Sequence, residues 1–113
     1  MSDTATTDAA MMDEAIKNEI IALGRTAHDL TESAYRKHGA TRGEAGWPEK
    51  QRILLADMAL HLLQTALRDG ELSAAELKRN LYAILTVSDQ FIPACGLKAS
   101  ADQLHANRAD GRG

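Results

Sequence analysis

The sequence predicts an all-α fold: three long helices in an up-down-up bundle, with room for a short fourth helix at the C-terminus. In three long segments, apolar residues recur at the spacings of three and four that one helix face requires. Glycine or proline separates these segments, at 39–46, at Gly70 and at Pro93. Only 4% of the 113 residues are aromatic, so the core must consist of leucine, isoleucine, alanine and methionine, as is common in helical bundles.

The first segment predicts a single helix from about residue 9 to about His38. At 100° per residue, its apolar side chains fall within a stripe about 80° wide, similar to a coiled-coil seam. We expect this narrow edge, together with the second helix, to form the core and a homodimer interface. The residues of the stripe are Met12, Ile16, Ile20, Leu23, Ala27, Leu30 and Ala34.

The second segment, Pro48 to about Asp69, is apolar over about 260° of its circumference. Only a strip with Asp57, His61, Gln64 and Arg68 is consistently polar. Such a helix must be buried on several sides, and two neighbouring helices leave part of it uncovered. We therefore expect a homodimer or contact with another protein. The predicted oligomer interface consists of Leu55, Met58, Leu60, Leu63 and Leu67.

The third helix is predicted to begin at Ser73, which forms a capping box with Glu76, and to end before Pro93. A short helix is predicted from Ser100 to Asn107. The domain organisation is thus a flexible lead-in over residues 1–8 and a helical bundle domain over 9–94. Residues 95–113 are predicted to be a tail that is partly helical and then disordered.

Composition indicates a protein of the cytoplasm with no membrane segment. The start, MSDTATTDAA, lacks the basic and apolar regions of a signal peptide, and the longest apolar run, ILLA at 53–56, is too short to span a bilayer. The single cysteine excludes an internal disulfide, and we expect Cys95 to be a partly buried thiol. A net charge of −3 argues weakly against general nucleic-acid binding.

The stretch LRDGELSAAELKRN at 67–80 admits a calcium-loop interpretation. If Gly70 takes the sixth position of a twelve-residue loop, Glu76 takes the twelfth, as such a loop requires. The first and third positions are then Thr65 and Leu67, and leucine offers no oxygen ligand. A tight link between two helices explains the same residues, and we favour it.

The same stretch also resembles the turn and second helix of a helix-turn-helix motif. Ala66 and Gly70 stand four residues apart, as the close contact and the turn glycine of that motif do. Against DNA binding, Glu71 and Glu76 repel phosphate at the start of the next helix. The side chains available to contact DNA are Lys78, Arg79 and Asn80.

A basic segment, which we call the elbow, extends from Arg36 to Arg52 and links the first two helices. It holds five basic residues against two acidic ones, and Trp47 there is either a binding anchor or a staple over the end of the bundle. The elbow and the third helix are the predicted partner-binding surfaces. The predicted contact residues are Arg36, Lys37, Arg42, Trp47, Lys50, Arg52, Lys78 and Arg79.

No catalytic motif or cofactor signature is present in the sequence. Asp57 and His61 stand at i,i+4 and could share a metal ion, but no further ligand follows at a suitable spacing, so we predict no metal site and no enzyme. The preferred hypothesis is a small non-catalytic interaction module (adaptor, regulator or inhibitor) with a protein partner. The alternatives are a DNA-binding accessory or transcription regulator, and a small subunit of a larger enzyme complex.

Overall fold

A computed structural model of the chain describes residues 13–106, which form helices and connecting turns without a strand. The helices are α1 (Glu14–Lys37), α2 (Trp47–Leu67), α3 (Ala74–Asp89) and α4 (Leu97–Ala106), with a 3-10 turn at Pro93–Cys95 before α4. The predicted all-α class, with three long helices and a shorter C-terminal one, is confirmed. The predicted lead-in at 1–8, Met12 of the apolar stripe and the last seven residues lie outside the described residues.

Local side chains explain where the helices begin. The Asp13 carboxylate accepts a hydrogen bond from the Ala15 N–H at 2.7 Å, and the Ser73 hydroxyl accepts one from the Glu76 N–H at 3.2 Å. The Ser73 half of the predicted capping box is therefore formed. The Glu76 carboxylate instead accepts a hydrogen bond from the Arg68 guanidinium at 2.6 Å, which joins the start of α3 to the end of α2.

The helix ends follow the glycine and proline pattern with small shifts. Gly70, in the link after α2, has a φ of +88°, a conformation that favours glycine. The third helix ends at Asp89 rather than directly before Pro93, because residues 90–92 already form a turn. The fourth helix begins at Leu97, three residues before the predicted Ser100, after Gly96 at a φ of +70°.

Each helix packs mainly on the next one in the chain, and α2 is the middle element between α1 and α3. The α2–α3 pair is antiparallel over its whole length. Arg68 binds Glu76 at one end, and the Gln90 amide donates to the Gln51 amide oxygen at 2.9 Å at the other. A helix-turn-helix motif differs from this hairpin, because its two helices cross at about 90–120°.

Few side chains of the described residues are fully buried. The buried apolar side chains are Val87 and Ala101, and the buried polar ones are Gln51, Asp57 and Thr65. All eight leucine, isoleucine and methionine residues of α2 are only half-buried, in agreement with the expectation that two neighbouring helices cover this helix incompletely. Ala101 belongs to α4, so the packed part of the chain continues into the predicted tail. Within residues 13–106, no helix is both long enough and apolar enough to cross a membrane.

Candidate functional site

The polar strip of α2 faces α1, and it forms the centre of the α1–α2 interface. The Thr31 hydroxyl of α1 donates a hydrogen bond to Asp57 Oδ1 at 2.6 Å, and the Asp57 side chain is only 9% exposed. His28 of α1 and His61 of α2 approach edge to face, with their ring centroids 4.3 Å apart. The strip therefore contacts a neighbouring helix, which the sequence left undecided.

Two imidazole nitrogens and one carboxylate converge at this point. The two Nε2 atoms of His28 and His61 are 2.9 Å apart, so the N–H of one ring donates a hydrogen bond to the nitrogen lone pair of the other. His28 Nε2 lies 3.4 Å from Asp57 Oδ1, and His61 Nε2 lies 3.5 Å from Asp57 Oδ2. We call these three residues the His–Asp–His cluster.

The cluster has the chemistry of a metal-binding group. Nitrogen and carboxylate oxygen are the donors that zinc and related divalent ions accept. His28 also belongs to a second group of three possible ligands, with Asp29 and Glu32 on the outer side of α1. His28 Nδ1 lies 3.9 Å from Asp29 Oδ1. The sequence analysis identified the Asp57–His61 pair but not His28, which the antiparallel register of α1 and α2 brings to the pair.

Close helix packing is possible here because Gly24 of α1 is buried against α2. A Cβ atom added to Gly24 would lie 3.0 Å from Leu63 Cδ2. The N-terminal end of α1 is fixed by Lys17, whose ammonium group binds the Asp69 carboxylate at 2.9 Å and the Glu14 carboxylate at 3.1 Å. The hydrogen bond to Asp69, followed by that to Glu14, raises the pKa of Lys17, and the hydrogen bond from Lys17 lowers the pKa of Asp69.

The apolar stripe of α1 is mostly exposed. Three of its four described leucine and isoleucine side chains are strongly exposed, Ile16 at 54%, Leu23 at 64% and Leu30 at 68%, whereas Ile20 is half-buried. These residues stand seven apart, so they lie in one line along a helix about 36 Å long. The prediction of a helix with a narrow apolar edge is confirmed, but the expectation that this edge belongs to the core is wrong for Ile16, Leu23 and Leu30, which are exposed. Its part in a homodimer interface stays a prediction. The side of α1 that packs on α2 carries Gly24, His28 and Thr31 instead.

The exposed stripe continues onto α2 near the C-terminal half of α1. An open groove of about 510 Å³ lies there, and Glu49 and Arg52 provide its charged groups. Its mainly apolar wall combines residues of both helices: Leu30, Thr31, Ala34, Ile53 and Ala56.

The structure divides the predicted partner-binding residues between two regions. Six of them lie along the elbow, where Arg36 binds Glu32 at 3.1 Å and the Lys50 ammonium group lies 4.9 Å from the centre of the Tyr35 ring. Trp47 is half-buried at the first residue of α2. The exposed members of the elbow set are Arg36, Lys37, Arg42 and Arg52.

Lys78 and Arg79 lie in the second region, at the start of α3 and therefore near the far end of α2 from the elbow. With Tyr82, Leu104 and His105 they line a cavity of about 350 Å³ between α3 and α4. The two predicted partner surfaces are thus separated by the length of α2, about 30 Å at 1.5 Å per residue.

The five predicted oligomer-interface residues of α2 (Leu55, Met58, Leu60, Leu63 and Leu67) are all half-buried within the chain. Leu63 contacts the Gly24 region of α1. The Cys95 thiol, which was expected to be partly buried, is exposed, because it lies in the 3-10 turn outside the helix contacts.

Comparisons with protein-family models, with curated proteins and with solved structures found no match to this chain. Function is therefore inferred from the geometry of the cluster, the stripe and the elbow.

Proposed function

We propose that this chain is a small non-catalytic helical interaction module that pairs with a second copy of itself through the apolar stripe of α1. The exposure of Ile16, Leu23 and Leu30 carries this proposal. Three large apolar side chains in one line, with Ile20, Ala27 and Ala34 on the same stripe, have the seven-residue repeat of a coiled-coil seam. Covering them removes apolar surface from water, which stabilises the covered state by roughly 25 cal/mol for each Å².

A second copy is the occupant that the stripe fits best, because the pattern is self-complementary. When two α1 helices run antiparallel with Leu23 against Leu23, Ile16 of one copy lies opposite Leu30 of the other. The groove beside Leu30 and Ile53 can then receive Ile16. Contact across such a groove extends the interface from α1 onto Ile53 and Ala56 of α2.

The charges favour the same orientation. The start of α1 is acidic, with Asp13, Glu14 and Glu19, whereas Arg36 and Lys37 lie at its end. Antiparallel helices bring the acidic start of each copy towards the basic elbow of the other, and parallel helices bring like charges together. We expect an antiparallel dimer.

The direct test is the molar mass of the full chain and of the variant Leu23→Glu, measured by light scattering during size exclusion over a hundredfold range of concentration. We expect a dimer for the natural chain and a monomer for the variant, because two opposed carboxylates at the centre of the stripe repel each other and desolvate poorly. Leu23 is largely exposed, so the variant should keep its helical circular dichroism.

Ala15→Glu is the matched control. It adds the same charge to the same helix at an exposed position outside the stripe, and should leave the dimer intact. A natural chain that stays monomeric at all concentrations would contradict the proposal, as would a dimer that Leu23→Glu leaves unchanged.

The module needs a second surface if it is to act as an adaptor or regulator, and we propose the elbow for an acidic protein partner. The support is the exposed cationic side chains Lys37, Arg42 and Arg52 beside the half-buried Trp47. Tryptophan and arginine are the residues most often responsible for binding energy at protein interfaces. The DNA-binding alternative gains little support from α3, because Glu76 neutralises Arg68 there and α2 and α3 form a full-length antiparallel hairpin.

A further inference from the structure

We propose that the His–Asp–His cluster is a binding site for one zinc ion, which joins α1 to α2. His28 supplies one ligand from α1, and Asp57 and His61 supply two from α2. The proposal is independent of the dimer, because the ligands lie on the face of α1 that contacts α2, away from the exposed stripe.

The spacing of the donor atoms fits a single ion. In a tetrahedral zinc site with bonds of about 2.0–2.1 Å, any two ligand atoms lie about 3.3 Å apart. The corresponding separations in the cluster are 2.9 Å between the two Nε2 atoms, and 3.4 and 3.5 Å from these atoms to the Asp57 oxygens. An ion between the three groups needs only side-chain adjustments of a few tenths of an ångström.

The charge balance of the His–Asp–His cluster also favours a bound cation. Asp57 is buried, and its Oδ1 accepts a hydrogen bond from the Thr31 hydroxyl. The two imidazoles bind each other rather than the carboxylate, although both lie within 3.5 Å of it. A buried carboxylate is stable when it is paired with positive charge or coordinates a metal. A divalent cation compensates this carboxylate and replaces the shared imidazole proton.

The surroundings supply the outer contacts that such a site uses. The Thr31 hydroxyl orients Asp57, and the Asp29 carboxylate lies 3.9 Å from His28 Nδ1, on the side of the ring opposite the ion. A carboxylate there favours the tautomer that carries its proton on Nδ1 and leaves Nε2 to bind metal. His61 is half-exposed, so solvent reaches the fourth position of the ion.

The test is a titration of the untagged full chain with Zn²⁺, followed by calorimetry and by the NMR signals of the imidazole rings. We expect one ion per chain. The ring signals of His28 and His61 should move together, whereas those of the other two histidines, His38 and His105, serve as internal references and should stay in place. At a hundredfold excess over the dissociation constant, the melting temperature should rise by about 10 °C or more.

His61→Ala removes one ligand and should weaken Zn²⁺ binding by more than about 100-fold, since even outer contacts of metal ligands contribute about 10–100-fold. His105→Ala is the matched control, an exposed histidine outside the cluster, and should bind Zn²⁺ as the natural chain does. Thr31→Val should weaken binding by about 10–100-fold.

Equal Zn²⁺ affinity in the natural chain and His61→Ala would overturn the proposal. Movement of the His38 or His105 signals at the same Zn²⁺ concentration as those of His28 and His61 would also overturn it, because it would show adventitious surface binding. A dimer lost in Leu23→Glu with Zn²⁺ binding intact would show that the two proposals stand separately.

Discussion

Gly24 sets how closely α1 approaches α2. It is buried in the middle of α1, and an added Cβ would already lie 3.0 Å from Leu63 Cδ2. In Gly24→Ala, Leu63 must move by a few tenths of an ångström, which destabilises the helix contact. The same substitution stabilises α1 by up to about 1 kcal/mol through its higher helix propensity, so the two effects on stability oppose each other. Gly24→Val adds two further methyl groups that the contact cannot hold.

We expect Gly24→Val to lower the free energy of unfolding by about 1–3 kcal/mol through overpacking, as measured by urea denaturation. The control is Ala22→Val on the exposed side of the same helix, where the β-branched side chain costs only about 0.5 kcal/mol of helix propensity. A Gly24→Val variant as stable as Ala22→Val would show that α1 and α2 are not in close contact at this point.

Single residues were predicted best where the signal is local. Ser73 caps α3 as expected, because a cap depends only on the next three residues. The Asp57–His61 pair was visible because both residues lie on one helix. His28 was missed, since its place beside them depends on the length of the connection at 38–46 and on the rotation of α1, neither of which a single-helix pattern contains.

At the level of the helices, the ion pair between Lys17 and Asp69 joins the start of α1 to the residues just after α2. Lys17 lowers the pKa of Asp69 below its ordinary value of 3.8. The unfolded chain therefore binds a proton at Asp69 more readily than the folded chain. The stabilisation from this carboxylate is complete above pH 3.8 and is lost as the pH falls through the pKa of Asp69 in the folded chain. For Lys17, whose pKa is raised above 10.5, the stabilisation is complete below that value and lost as the pH rises through the folded one.

Asp69→Asn should accordingly be less stable than the natural chain at about pH 7, and the difference should be smaller at about pH 2, below the ordinary pKa of 3.8. Urea denaturation at both values measures it. The pair is at the surface, so the effect should be small. Glu71→Gln, a neutralised carboxylate in the same link, should show no such pH-dependent difference. A constant difference between Asp69→Asn and the natural chain at both pH values would rule out the ion pair as its source.

The number, order and approximate limits of the helices followed from sequence, whereas the orientation of α1 did not. Hydrophobic periodicity located the stripe of α1 correctly but implied that it faces inward. The adjacent face of α1 carries a glycine for close approach and polar groups that match the polar strip of α2. Hydrogen bonds and close packing on one face of α1 therefore compete with apolar burial on another. A count of hydrophobic periodicity takes only the apolar burial into account.

For the whole molecule, the elbow offers a specific optical probe, because Trp47 is the single tryptophan of the chain. We expect a glutamate-rich peptide to change the emission of Trp47, and the effect to fade as the salt concentration rises, since exposed charges are screened within about 8–10 Å. The double variant Arg42→Glu and Arg52→Glu should bind the peptide at least about tenfold more weakly.

Arg79→Glu is the control for this measurement, because Arg79 is an exposed cation at the other end of the molecule. Equal weakening by Arg79→Glu would mean that the peptide responds to net charge rather than to the elbow. Duplex DNA that binds more tightly than the peptide would favour the DNA-binding alternative instead.

The pairing of each helix mainly with its neighbour in the chain also bears on how the molecule forms. Most contacts in the described residues lie within one helix or between consecutive helices, and helical proteins dominated by local contacts fold in microseconds to milliseconds. Synthesis proceeds at about 5–20 residues per second, so the hairpin of α1 and α2 has time to assemble before α3 and α4 have left the ribosome. The nascent hairpin then exposes both the apolar stripe of α1 and the side of α2 that will contact α3. The later helices cover only the exposed side of α2.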